Sequence, residues 1–414
     1  MRVIVLGAGV VGLTTAYMLA RDGHQVSVLD GARGAALHAS QANGGQLSYS
    51  YVAPFAGPGV IGKVPGWLLD GDGPLRFRPD FTWGQVSWLW QFLRACNAGT
   101  AARTTAALLR LAGLSRAALH ELVGREAIDF VFARSGKLVV HSDEASFAGA
   151  RRQMAAQAAL GSLQHALSGA ECLALEPALA RIAPRLVGGI HTPSEDAGDC
   201  HLFCLGLEKL LRGSNFDVSF HFSTPVTQLL TAAGRVVGAA TPAGVHEADA
   251  FVLALGNGAR ALAHPLGVDL PVQPLKGYSL TLPITGQAPA ISITDASAKV
   301  VYARLGDSLR VAGMADVVGA DPRFDNRRLD TLLRQARAAF PDAADWTTLR
   351  PWTGLRPATP TGLPMLGPVP RWPNLHLNLG QGSLGFTLAM GSAAVVADLI
   401  AGRPAPIAME GLGV

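Results

Sequence analysis

Hydrophobic positions change period repeatedly along this chain. Residues 2–6 are a short β-favouring apolar run, and from Val10 to Ala20 apolar side chains recur at helical spacing. A second strand is predicted over 25–29. The pattern then gives way to a long polar, glycine-rich stretch through His38–Gln46, predicted as a loop; an ordered loop of that length in a compact domain is usually functional. Helical spacing returns over 84–94, 101–122, 143–160 and 199–212, with strands between at 136–141 and 188–191. Short strands split by turn residues follow at 217–222, 225–230, 235–241 and 244–247, leading to a buried strand at 250–255. Strands are predicted again over 272–283, 298–304 and 308–313, then a helix over 327–339, a strand at 376–379 and a last helix over 384–401. The ends are of βα type and the middle is strand-rich and antiparallel, an α/β (α+β overall) pattern. No repeat or low-complexity linker separates the two, so interleaved domains are expected.

The opening elements carry a motif. Gly7-Ala8-Gly9-Val10-Val11-Gly12 joins the first strand to the helix, and the second strand ends on Asp30, 18 residues beyond Gly12. Strand, Gly-x-Gly-x-x-Gly, helix, strand and acid are together the parts of a dinucleotide site. Gly7 makes the tight turn, Gly9 lets a pyrophosphate approach, and Gly12 allows close helix–strand packing. The anion rests on the helix N-terminus, and Asp30 can accept from a ribose hydroxyl. An ordinary turn in a buried βα unit is the competing account. The motif does not choose between FAD and a nicotinamide cofactor. Gly256-Asn257-Gly258 also follows a strand, but no long helix and acid-ended strand come after it, which weighs towards a single flavin dinucleotide.

Composition narrows the class. The 414 residues are 49% hydrophobic and 15% charged, enough apolar material for a sizeable core and too little charge for a disordered chain. Thirty-four basic against 30 acidic residues, spread along the chain, exclude a nucleic-acid binder on charge grounds. Four cysteines (Cys96, Cys172, Cys200, Cys204) are too few for a disulfide framework and fit a reducing compartment. The apolar N-terminus lacks the charged start and cleavage site of a signal peptide, and no apolar run is read as a membrane span. A soluble, intracellular protein is expected.

Several segments then resemble one family. Val3–Gly9, Ser40–Gln46, Pro274–Ser279, Val311–Ala315, Trp352–Pro360 and Asn378–Gly385 together cover nearly the full length. The chain resembles the bacterial FAD-dependent D-amino-acid dehydrogenases, which are related to glycine oxidase and D-amino-acid oxidase. The first segment is common to many flavoproteins; those around Lys276 and Arg356 are far more specific. One departure is Thr361, where several members carry an acid after the Thr-Pro pair. The resemblance implies a Rossmann-like FAD-binding domain of the glutathione-reductase type (1–80, 185–272 and 350–414) interleaved with an antiparallel-sheet substrate domain (81–184 and 273–349). It also implies noncovalent FAD, a D-amino acid substrate, a quinone or other respiratory-chain acceptor, and a cytoplasmic protein peripheral on the inner membrane.

Residue roles are read beside it. Arg356 offers a planar fork that suits a carboxylate; a surface arginine before a turn made rigid by Pro357 and Pro360 is the plainer account. The family's carboxylate-binding arginine occupies this motif position. Gly380-Gln381-Gly382-Ser383-Leu384-Gly385 opens the last helix, whose N-terminus can stabilise negative charge on a reduced flavin, or is simply a glycine-permitted turn. Ser40, Asn43, Gly44, Gly45 and Gln46 suit contacts with the isoalloxazine ring, or form a flexible loop. Val226 begins a strand whose backbone, by resemblance, meets the adenine end, and Gly256 is grouped with the cofactor contacts. Lys276 and Tyr278 lie two apart on one strand face, towards flavin or substrate, unless Lys276 is an edge-strand charge. Tyr302 is expected on the substrate-domain face. Cys200 and Cys204 share a helix face without further ligands and read as buried thiols; no metal is expected.

The aromatic segment Trp83–Arg94 holds three of seven tryptophans: core, subunit contact in a homo-oligomer, or a membrane and quinone patch. The reading is oxidative deamination of D-amino acids, with hydride passing from Cα to flavin N5. A glycine oxidase-like or cyclic imino-acid enzyme, and a flavin-binding scaffold subunit, stand as alternatives.

Overall fold

The computed structural model describes residues 1–52, 54–69, 73–80 and 82–413, with side chains except at 63, 65 and 67–69. Strand Arg2–Leu6 lies at the centre of a six-stranded sheet, parallel to Gln25–Leu29 on one side and Ala250–Leu253 on the other. Val218–His221 and Trp372–Leu379 extend it in parallel, and Met365–Val369 closes one edge antiparallel. Its strands read as continuous apolar runs because both faces are covered. Val3, Val5, Val26 and Val28 face a helix layer of Val10–Arg21, Ala98–Arg125, Cys200–Leu211 and Gly385–Ile400. Ile4, Leu6, Phe251 and Leu253 face Leu229, Val236 and Ala239 of a meander formed by Gln228–Ala232, Arg235–Thr241 and Gly244–Glu247. The meander starts later than the expected strand at 225. Ser223 has φ +53 and Pro225 has no N–H to give, so Val226 stands in the loop before it.

Strands in the order Arg350–Ala358, Gln273–Pro283, Ser308–Val317, Val300–Leu305, Ser292–Asp295, Lys137–His141, Gly188–Thr192 and His165–Ser168 form the second sheet, with Leu75–Phe77 added to Ser308–Val317. It is mainly antiparallel, with two parallel pairings. One face packs on helix Asn326–Ala339 through Leu280, Leu282, Val300 and Leu332; the other faces the first sheet. The chain begins in the first sheet and crosses between the two four times.

Several segments depart from expectation. Arg356 lies in an edge strand, not in a rigid turn; Pro351 and Pro357 are tolerated there because one side of an edge strand needs no N–H donors. Between Gln46 and the helix expected from 84, where no element was expected, lie helix Val60–Leu69 and strand Leu75–Phe77. Helix Ala98–Arg125, placed with the substrate domain, packs through Leu108, Leu111 and Leu119 into the core beneath the first sheet. Gly188–Thr192 and Arg350–Ala358, placed with the cofactor domain, hydrogen-bond into the second sheet; a short apolar strand does not encode its partner. The boundary expected at 80–81 adjoins residue 81, outside the described residues. Finally, Gly382–Ile400 is long and apolar enough to cross a membrane, but 67% of that window is buried, so here it is a core helix.

Candidate active site

A cavity of about 1690 Å³ runs between the two sheets. One end is bounded by Gly7, Gly9, Val10, Val11 and Asp30, with Val226 and Gly256 beside them. Gly7 has φ +111, and a Cβ on Gly12 would fall 1.8 Å from the Gly7 carbonyl oxygen, so the helix can approach the strand only as drawn. Ala8 and Gly12 lie behind this wall. The helix starts at Gly9 without a side-chain cap in the usual sense; Ser40 Oγ reaches in from another loop and accepts from the Val10 N–H at 3.0 Å. Its other first-turn amides fit an anion. Asp30 accepts from the Ala8 and Ala32 N–H groups, each at 2.7 Å, and still has acceptor capacity for a hydroxyl. These features fit a dinucleotide. Ser40, expected near a flavin ring, is thus tied to the start of the glycine-motif helix.

The rest of the 40–46 loop is fastened to the second sheet. Ser279 Oγ donates to the Ala42 carbonyl at 2.6 Å, and Arg310 Nη1 donates to the Asn43 carbonyl at 2.6 Å. Arg310 also pairs with Asp199 at 3.1 Å; burial lowers its pKa and Asp199 opposes that. Asn43 Oδ1 accepts from the Gly45 N–H, Gly44 packs on Val301, and Gln46 Nε2 donates to the Ile293 and Tyr302 carbonyls. Asn43, Gly44, Gly45 and Gln46 all line the cavity.

Arg356 also lines the cavity. In the antiparallel pairing Arg356 faces Leu275, Gly354 faces Gly277, and Trp352 faces Ser279. Side chains alternate across a sheet, so these six share one face, and all but Gly277 line the cavity. The guanidinium lies over Gly277, where an added Cβ would come within 2.2 Å of Nη2. Nη1 donates to the Met314 carbonyl at 2.9 Å, turned towards it by a left-handed φ of +65. Among the described residues no carboxylate pairs with Arg356. Burial lowers its pKa and Asp316 opposes the shift, but an arginine remains charged.

That parity corrects three expectations. Lys276 and Tyr278 do share a face, but it is the face packed on helix Asn326–Ala339. Lys276 does not border the cavity; its ammonium donates to the Arg323 carbonyl. Tyr278 borders the cavity, yet its hydroxyl is committed to Asp316 at 3.1 Å, which in turn pairs with Arg328 at 2.6 Å. Burial and Asp316 push the Tyr278 pKa up. Tyr302 is buried against Phe340 in the same core and does not line the cavity. Ser279 and Met314, which the sequence reading passed over, line the cavity instead, with Gly277 beneath the Arg356 fork and Arg310 holding the Asn43 carbonyl. The alternate positions of the Lys276 strand were the available signal.

Gly382, Ser383, Leu384 and Gly385 line the cavity at the uncapped start of helix Gly385–Ile400, while Gly380 packs behind on Thr359. Lys137, also missed, enters nearby from strand Lys137–His141. Helix Trp83–Ala95 has Thr82 as its cap and two apolar faces. Trp88, Leu89 and Phe92 line the cavity, and Trp88 Nε1 donates to the Ala358 carbonyl at 2.8 Å. Trp83, Val86 and Trp90 point outwards, with Trp83 82% exposed. Cys200 and Cys204 are buried in the helix layer.

The family model described as FAD dependent oxidoreductase matches residues 2–399. D-amino acid dehydrogenase 2 of Ralstonia nicotianae is 49% identical, over 99% of this chain and 98% of its own. D-amino acid dehydrogenase 2 of Pseudomonas aeruginosa is 47% identical, over 99% and 97%. Among solved structures, glycine oxidase from Geobacillus kaustophilus superposes with a TM-score of 0.78 at 21% identity, over 100% of this chain and 98% of its own. At that identity the likeness carries the fold.

Proposed function

This chain belongs to the family of FAD dependent oxidoreductases, and from that premise we propose that it dehydrogenates D-amino acids to 2-oxo acids and ammonia. The supporting observation is Arg356: a half-buried, charged fork in the cavity wall, with no carboxylate partner among the described residues. A substrate carboxylate is the partner its geometry suits. The D configuration rests on the names of the relatives. Bound FAD supplies the acceptor for the hydride that leaves Cα. Gly7–Val11 and Asp30 would hold the dinucleotide, and the uncapped start of helix Gly385–Ile400 would offer its amides to the ring. The six-stranded sheet carries the cofactor and the nine-stranded sheet the substrate.

Around Arg356 the sheet face offers Leu275, Gly277, Ser279, Trp352 and Gly354, none of them a base. A neutral substrate amine suffices for hydride loss, so this face needs no base. The imino acid product hydrolyses in water. Helix Trp83–Ala95, apolar towards the cavity and towards solvent, supports a quinone acceptor and a peripheral place on a membrane, where tryptophan is favoured at the interface.

Arg356→Leu tests the reading. Losing a charge-assisted pair in a desolvated site costs about 2–5 kcal/mol, a fall in kcat/KM of roughly 30- to several-thousand-fold. Arg356→Lys should recover only part. FAD content and melting temperature should stay near the parent's. Near-normal kcat/KM in a flavin-loaded leucine variant would remove the clamp, and Arg304 could not replace it: it is exposed and turned to the Gly306 carbonyl. Dye-coupled turnover should greatly exceed peroxide release; comparable rates would make the chain an oxidase.

A further inference from the structure

Lys137 takes no part in the proposed carboxylate clamp, and its setting is unusual for a lysine. The residue is 3% exposed, yet it lines the same cavity as Arg356. Its ammonium donates to Ser48 Oγ at 2.8 Å and lies 4.3 Å from the centre of the Tyr51 ring. Neither partner neutralises the charge. Glu195 is the carboxylate that acts on it, but the two form no ion pair, and the Glu195 oxygens accept from the backbone N–H groups of Tyr49 at 2.5 Å, Ser50 at 2.7 Å and Tyr51 at 3.4 Å. An ammonium carries three donors, and one is taken by Ser48. Burial pulls the Lys137 pKa down to about 8, which still leaves it charged at neutral pH.

Position gives this charge a target. The Ser48 N–H donates to Thr387 Oγ1 at 3.0 Å, in the first turn of helix Gly385–Ile400. Ser48 thus joins the ammonium to the uncapped helix start, and Lys137, Ser48 and Gly382–Thr387 form one wall of the cavity. Two sources of positive potential, a helix N-terminus and a lysine, converge on it.

We propose that Lys137 tunes the flavin: its ammonium, fixed by Ser48 beside the start of the last helix, adds positive charge where the ring of bound FAD gains negative charge on reduction, and so raises the reduction potential. A nearby charge is among the levers by which a protein sets a flavin's electronics. The inference rests on the cofactor orientation proposed above. Removing the ammonium would also leave the buried Glu195 carboxylate without the cation that acts on it, so the potential, and not the stability, reports this role.

The test uses the FAD-loaded enzyme. Lys137→Met should lower the two-electron midpoint potential, measured by equilibration with reference dyes, by about 30 mV or more, which corresponds to tenfold weaker relative binding of the reduced flavin. Lys137→Arg, keeping the charge, should hold most of the potential. An unchanged potential with a raised KM would assign Lys137 to the substrate instead and overturn the proposal. So would a potential that falls equally in the methionine and arginine variants, because that outcome marks a packing role. Failure of the Arg356 clamp would leave the potential shift intact, so the two readings fail separately.

Discussion

Because the Arg356 guanidinium crosses over the Cα of Gly277, a single methyl there tests the geometry without touching the charge. The Cβ of Gly277→Ala would meet Cζ at 2.4 Å and Nη1 at 2.7 Å, so the fork must move. Misplacing a positioning group by about 1 Å can cost roughly 10²-fold. We expect kcat/KM to fall about 10- to 100-fold with FAD content unchanged, as read from steady-state kinetics and the flavin spectrum. The sequence showed Arg356 through its motif. It did not show which alternate positions of the facing strand meet it, because Lys276 and Tyr278 are as apolar-flanked as Leu275 and Ser279. Pairing fixes that parity: once Leu275 lies opposite Arg356, Lys276 and Tyr278 must point to helix Asn326–Ala339. The polar character that drew attention to them instead serves Arg323 and Asp316.

At the scale of elements, helix Trp83–Ala95 separates two duties by face. Trp88 is bound to Ala358 and belongs to the cavity, whereas Trp83 and Trp90 are exposed, with Arg94 stacked 4.6 Å from the Trp90 ring centre. Trp83→Ser with Trp90→Ser should leave dye-coupled activity within about twofold of the parent, since exposed substitutions rarely disturb a fold. Quinone reduction and co-sedimentation with lipid vesicles should both drop; if both persist, the outer face is not a docking surface. Strand Trp372–Leu379 gives a pH prediction. Burial lowers the His376 pKa to about 4. The unfolded chain therefore binds this proton first, and stability present above pH 6.5 is lost as pH falls towards 4, by about 2–3 kcal/mol. Urea midpoints at pH 7.5 and 4.5 should show the fall, and His376→Leu should flatten it. Long amphipathic helices and buried strands were legible from period alone. Leu75–Phe77 and His165–Ser168 were not, because three or four residues hold too little pattern, and Arg350–Ala358 was hidden by prolines that only an edge position admits.

The molecule as a whole places its site between two sheets that share one chain. Interleaving was readable from the return of βα patterns at the end, but the assignment of each crossing segment was not: Ala98–Arg125 lies under the first sheet while the strands just after it join the second. With four crossings, neither sheet can unfold while the other keeps its connections, so a single cooperative transition is expected. The size of the cofactor's effect tests this. Free FAD at a hundred times its Kd adds about 2.7 kcal/mol to the folded state. Unfolding entropy of about 2.1 cal/mol/K per residue gives roughly 0.9 kcal/mol/K for the full chain, hence a rise in Tm of about 3 °C. If the cofactor-bearing half melted alone, the same binding energy would act on half the entropy and raise its Tm by about 6 °C. Calorimetry of apoprotein with and without FAD separates the two outcomes: one peak moving by about 3 °C supports a cooperative whole, whereas two peaks, one moving by about twice as much, would show that the crossings do not couple the sheets.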